Sequence, residues 1–255
     1  MKIKIINPNT TLEMTESIGA AGRSVARQGT EIVAVSPTFG PASIESYYDE
    51  FLCAPGVIDE VRKGDREGCD AYIVACYGDP GLHAAREVTL KPVIGIAEAS
   101  LYTASILAAR FSIVTVIPRI KTMLEEMVEN YGFGRKVVNV RTTPLYVLDV
   151  EKDPEGALET LREEARRAVA EDDAEAILLG CAGFAEFADE LEEELSIPVL
   201  DGVVCAVKLA EAVVELGKTT SKSKTYRFPE RKAFTGEFAR FGDDSGGTGL
   251  AEAAE

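Results

Sequence analysis

Residues 69–82 read CDAYIVACYGDPGL, and residues 173–187 read DAEAILLGCAGFAEF. Each block runs from a polar lead-in through a short apolar run to a cysteine, then into small residues that turn toward a helix. A proline and a second apolar run follow in both. Pro92 of KPVIGI comes sixteen residues after Cys76, and Pro198 of IPVLDGV comes seventeen after Cys181. The segments that open the two halves, IKIINPNTT and FSIVTVIPR, also correspond. Self-similarity of this kind marks a repeated structural unit.

The rest of the chain fits that unit. Apolar strand-like runs (KIKIIN, EIVAVS, FSIVTV, KVVNVRTT) alternate with helical patterns such as IKTMLEEMVENYG and EGALETLREEARRAVAEDD. Alternation of strand and helix predicts a mostly parallel sheet flanked by helices. The expected fold is α/β, with two similar units related by a pseudo-twofold axis. Residues 1–105 with 206–225 are expected to form the first half and 106–205 the second. Residues 226–255 form a tail, and its last part, rich in Gly and acid, is expected to be disordered. The stretch YRFPERKAF is expected to pack over the body or against a neighbouring subunit.

Composition narrows the function. The chain has 255 residues and a formal net charge of −16. Nucleic-acid binding needs a face of Lys and Arg to neutralise phosphates, so no nucleic-acid partner is expected. No apolar run reaches the roughly 18–20 residues of a membrane span, and MKIKIINPNT turns polar too early for a signal peptide. A cytoplasmic location is expected, with no membrane partner. The five cysteines are widely spaced and form no Cys-x-x-Cys pair, and His83 is the sole histidine. Neither a disulfide framework nor a metal site is expected. Phosphate and dinucleotide loops are missing as well.

In parallel sheets, ligands bind beyond the carboxyl ends of the strands. Cys76 and Cys181 stand at two such ends, in equivalent places of the repeat. Asp79 reads as the N-cap of the helix after Cys76, with Pro80 at its first position. A thiol beside a helix N-terminus is expected to ionise below its reference pKa of about 8.5. Two thiols facing one carbon suit proton transfer between its faces: a thiolate removes a proton and the opposing thiol returns one. Cys53, Cys69 and Cys205 read as packing residues, and His83 as a surface or packing histidine. Asn9 of the NPNT loop is expected to touch ligand, Phe39 of SPTFGPASIES to form an apolar wall, and Thr115 to end the strand equivalent to the one before NPNT.

With NPNT, GPASIES, ACYGDPGLHAARE, PVIGIAEA, FSIVTV, LGCAGFA and PVLDGVVCAVKLAE in view, the chain resembles the hydantoin/allantoin racemases of the aspartate/glutamate racemase superfamily. The resemblance covers about residues 1–215. It implies two similar α/β halves with the active site between them, and two cysteines acting as acid and base without cofactor. Those roles fall on Cys76 and Cys181. It implies Asn9, Phe39, Ile44 and Thr115 as substrate contacts, together with Tyr77, Gly78, Ala182 and Gly183, whose N–H groups would hold ring carbonyls and the developing oxyanion. The expected function is racemisation of 5-substituted hydantoins, with allantoin among the candidates, by a homo-oligomer acting on a small molecule. The alternatives are an aspartate or glutamate racemase, a non-catalytic ligand-binding protein, and a thiol redox protein.

Overall fold

The computed structural model describes residues 1–242. The expectation of disorder at the chain end concerns residues outside the described ones.

The first half runs β1 (Lys2–Ile6), α1 (Leu12–Val25), β2 (Glu31–Val35), α2 (Tyr47–Arg66), β3 (Ala71–Val74), α3 (Leu82–Val88), β4 (Val93–Gly95) and α4 (Ile96–Leu107). The second runs β5 (Phe111–Thr115), α5 (Lys121–Asn130), β6 (Val137–Thr142), the short α6 (Asp149–Lys152), α7 (Pro154–Asp172), β7 (Ile177–Leu179), α8 (Ala188–Leu195), β8 (Val199–Asp201) and α9 (Gly202–Glu215). Each half holds a four-stranded sheet. The orders are β2-β1-β3-β4 and β6-β5-β7-β8, and every pairing is parallel. The orders superimpose when β1 is matched with β5 and β3 with β7, as the repeat predicts. Val74 pairs with Gly95 and Leu179 with Asp201, so those two strand ends are equivalent.

Local sequence accounts for the elements. The central strands are apolar throughout: every residue of AYIV and of ILL is buried, as strands covered on both faces require. Ser46 caps α2 by accepting the Asp49 N–H, and the Asp49 carboxylate in turn accepts the Ser46 hydroxyl at 2.7 Å and the Glu45 N–H at 3.1 Å. α7 starts with Asp153 as cap and Pro154 in its first turn.

One buried core joins both sheets through Ile3, Ile73, Ile113, Leu178 and the inner faces of α4 and α9. α9 follows the last strand of the second half yet packs against α1, α4, β3 and β4. A second core, with Val57, Val61, Tyr72 and Leu82, lies on the other face of the first sheet, under α2 and α3. No helix among the described residues is long and apolar enough to cross a membrane.

Residues 218–242 lie over the first half. Thr220 donates its N–H to Leu90 O at 2.8 Å, and Lys222 Nζ donates to Arg86 O and Glu87 O. Tyr226 stacks on His83, with ring centroids 5.9 Å apart, and shares a 2.8 Å hydrogen bond with its Nδ1. His83 is thus an exposed packing residue on α3, and the aromatic tail segment rests on the body of its own chain.

Candidate active site

The carboxyl ends of β1, β3, β5 and β7 open onto one cavity between the halves. Cys76 follows β3 by two residues and Cys181 follows β7 by two, and both line the cavity. Asn9, Ile44, Tyr77, Gly78 and Ala182 line it too. Cys53, Cys69 and Cys205 are buried and do not line the cavity, although Cys53 lies close to Cys76. The matching of strand ends in the two repeats is what carries the two thiols to a common space.

Two polar contacts link the halves near the cavity. The Glu45 carboxylate accepts the Val147 N–H at 2.9 Å, and Tyr47 donates its hydroxyl to Glu126 at 2.6 Å. The apolar wall comes chiefly from the second half, through Val116, Ile120, Met123, Leu124 and Val147. Sequence reading missed these residues, because as helix and turn positions they look like ordinary core. It also missed Asn7 and Glu50, which line the cavity as well. The Asn7 amide donates to Asn9 Oδ1 at 2.8 Å and to Thr15 Oγ1 at 3.0 Å, and Asn9 Oδ1 accepts the Thr11 N–H. This network fixes the NPNT loop at the start of α1.

Three expected contacts fall elsewhere. Thr115 is fully buried and donates its hydroxyl to Gly180 O at 2.6 Å, so it ties β5 to the end of β7 instead of facing the cavity. Phe39 lies off the cavity, its ring under the Arg240 guanidinium at 4.3 Å. Gly183 does not line the cavity, but its N–H is directed at the Cys181 sulfur. Gly78 N–H is directed at the Cys76 sulfur in the same way.

These N–H groups favour thiolate, yet they do not prevail. Burial pushes the Cys181 thiol up to about 12 and raises Cys76 well above its ordinary value. For Cys76 the neighbouring Cys53 adds to the rise, ahead of Cys181 and Glu50. The expectation of an acidified thiol is therefore corrected: desolvation in an apolar cavity outweighs one N–H donor.

Asp79 is also reassigned. Its φ is +48°, and α3 begins only at Leu82, with Gly81 as its N-cap. The Asp79 carboxylate turns inward and caps α4, accepting the N–H groups of Ala97 at 3.1 Å and Glu98 at 2.9 Å, and the Tyr131 hydroxyl at 2.8 Å. A Cβ on Gly95 would lie 2.1 Å from Asp79 Cγ, so the cap requires glycine there. In the second half Asp201 takes the place equivalent to Gly95 and itself caps α9, accepting the Val204 N–H at 2.7 Å. Phe184 stands where Asp79 would be. Each half thus buries one aspartate on the helix after its fourth strand, drawn from a different chain position.

Among the described residues, no group of three or more His, Cys, Asp or Glu is placed to hold a metal ion.

Residues 3–210 match the Asp/Glu/hydantoin racemase family model. A protein of Pseudomonas sp. (strain NS671) named hydantoin racemase is 66% identical over 242 residues, covering 95% of this chain and 97% of its own length. The solved allantoin racemase from Klebsiella pneumoniae superimposes with a TM-score of 0.92 at 47% identity, covering 94% of this chain and 98% of its own. The allantoin racemase from Pseudomonas fluorescens gives 0.89 at 38% identity, with 92% and 100% coverage. Two like sheets whose strand ends share one cavity are thus joined to sequence similarity over nearly the whole length. The chain is an isomerase of the Asp/Glu/hydantoin racemase family.

Proposed function

We propose that this protein racemises 5-substituted hydantoins by moving the C5 proton between Cys76 and Cys181. The observation that carries the reading is the placement of two thiols, from equivalent strand ends, on one cavity lined largely by apolar residues. The names of its relatives, hydantoin racemase and allantoin racemase, support the substrate class and keep allantoin among the candidates.

The C5 proton of a hydantoin is acidified by the adjacent carbonyl. One cysteine, as thiolate, takes that proton and becomes a thiol, and the electron pair passes into an enolate. The facing thiol gives its proton to the opposite face of C5 and becomes the thiolate. One proton is lost and one gained, so the hydantoin changes hand and nothing else. The opposite enantiomer runs the steps in reverse. N–H groups of Tyr77 and Ala182, at the turns after the two cysteines, are assigned to the ring oxygen where charge develops. Gly78 and Gly183 stabilise the thiolate, while Asn9 and Ile44 shape the cavity. The thiols are most reactive as anions, and an apolar cavity strengthens a thiolate as a base once formed.

No Arg or Lys among the described residues lines the cavity, so a free amino-acid carboxylate has no counter-ion there. This disfavours an aspartate or glutamate substrate. The exposed side chains of Tyr48 and Phe51 on α2 support self-association into a homo-oligomer.

The test follows optical rotation of enantiopure 5-substituted hydantoins and of allantoin, with C5 hydrogen exchange in D₂O. Cys76→Ser and Cys181→Ser should each abolish racemisation, since a hydroxyl is a far poorer base than a thiolate. Each single variant should still exchange the C5 hydrogen of one enantiomer, the two preferring opposite hands. Substantial racemisation by either variant would overturn the two-cysteine assignment.

A further inference from the structure

Glu50 lies in the first turns of α2, and its side chain reaches the cavity beside the turn after Cys76. Its Oε1 sits 2.9 Å from where a Cβ on Gly78 would be. Among the described residues it is the only acid lining the cavity, and none of the residues lining the cavity with it carries a positive charge to pair with it. Partial burial in an apolar cavity desolvates this carboxylate, so its charged form gains from a donor that a ligand brings.

The neighbouring acceptors are already engaged. Gly180 O accepts the Thr115 hydroxyl, Cys76 O the Asp79 N–H at 2.9 Å, and Cys181 O the Phe184 N–H at 3.1 Å. Asn9 Oδ1 accepts from Asn7 and Thr11, and Asn7 Oδ1 accepts the Asn9 N–H at 3.4 Å. A hydantoin ring carries two carbonyls and two N–H groups. Backbone N–H groups around the cysteines serve the carbonyls. For a ring N–H, the side-chain acceptor left over is Glu50.

We infer that Glu50 accepts a ring N–H of the substrate, so that a free N–H at one ring nitrogen is a requirement for tight binding. This rests on the hydantoin-racemase reading given above. Glu50 then orients the ring, setting C5 between the thiols, and takes no part in proton transfer. Its burial, which raises the carboxyl to about 6, leaves it ionised and a strong acceptor at neutral pH.

The test compares a 5-isobutylhydantoin with its N1-methyl and N3-methyl derivatives, on the wild type, Glu50→Ala and Glu50→Gln. Methylating one of the two nitrogens should lower wild-type kcat/KM by roughly tenfold to a hundredfold, mainly through KM, as loss of a hydrogen bond to a charged group implies. Glu50→Ala should lose a similar factor on the parent hydantoin and be indifferent to that same methyl group. Glu50→Gln, which keeps an acceptor oxygen, should recover part of the loss. The assignment fails if the wild type tolerates both methyl groups. It fails equally if Glu50→Ala turns over the parent normally, or loses the same factor on the parent and both derivatives.

Calorimetric binding to the Cys76→Ser/Cys181→Ser double variant separates this assignment from the cysteine mechanism. Glu50-dependent N–H preference in binding, with racemisation surviving loss of a cysteine, would overturn the mechanism alone. Normal cysteine-dependent racemisation without that preference would overturn the Glu50 assignment alone. Failure of the wild type and the double variant to bind any hydantoin would overturn both.

Discussion

Gly202 lies against Ile96 so closely that a Cβ on Gly202 would come within 2.7 Å of the Ile96 carbonyl oxygen. These are the first residues of α9 and α4, the equivalent helices of the two halves. The repeated units therefore meet at their equivalent helix starts, each one residue after the strand end that pairs with a strand leading to a cysteine.

Gly202→Ala should force the helix starts apart. Overpacking of this sort costs about 1–3 kcal/mol, to be read as a lower denaturation midpoint with an unchanged slope. The separation of the thiols would change with it. Since small misplacements of reacting groups are expensive, turnover should fall by up to about a hundredfold. Near-normal stability and turnover would show that the helices move without disturbing the site.

Alkylation should report the protonation of the thiols. With both held well above neutral, the thiolate fraction grows about tenfold per pH unit far below the pKa. Inactivation of the free enzyme by iodoacetamide should follow that slope from pH 7 to 9, and kcat/KM should rise over the same range. A plateau of the alkylation rate near pH 7 would mean that the Gly78 and Gly183 N–H groups outweigh burial after all.

Asp201 offers a stability test. One carboxylate oxygen takes the Val204 N–H, and the other is buried with no hydrogen-bond partner among the described residues. Burial raises this carboxyl to about 6, against the pull of the amides at the start of α9. A folded pKa above the unfolded one means that the folded state binds more protons between about pH 4 and 6, so stability falls as pH rises through that window. Asp201→Asn keeps the cap and removes the charge. It should match the wild type near pH 4 and exceed it above pH 6, by at most about 3 kcal/mol from the shift. Urea unfolding at pH 4, 6 and 8 measures this, and a constant difference across the three would refute it.

What could be read from the sequence followed its short-range regularities. Short apolar runs ending in a cysteine, twice, announce the two sheets, and matched spacing to Pro92 and Pro198 announces that the cysteines are equivalent. Glu50 could not be read that way. Inside YYDEFLCAPG it looks like one of two acids placed to favour a helix start, and only the packing of α2 beside the β3 turn brings it to the cavity. Asp79 misleads for a similar reason. Asp-Pro-Gly is a good local cap, but a left-handed backbone at Asp79 turns the carboxylate toward α4. Gly95, a glycine at a strand end with no turn to explain it, is the one trace of that arrangement in the sequence. Thr115 does end its strand, but strand position alone does not say which neighbour its hydroxyl meets.

The exchange of aspartates between the halves bears on how a racemase treats mirror images. Enantiomers have equal free energies in water, so at equilibrium they stand at equal concentrations, and kcat/KM must be the same in both directions whatever the protein does. The two walls are not mirror images, however. Asp201 faces Cys181 among its neighbouring charges, while Cys76 has Cys53 and Glu50 near it and Asp79 turned away onto α4. Thermodynamics fixes only the ratio. The unequal walls leave kcat and KM separately free to differ between the hands, by one common factor, so that the enantiomer held more tightly is also the one converted more slowly at saturation.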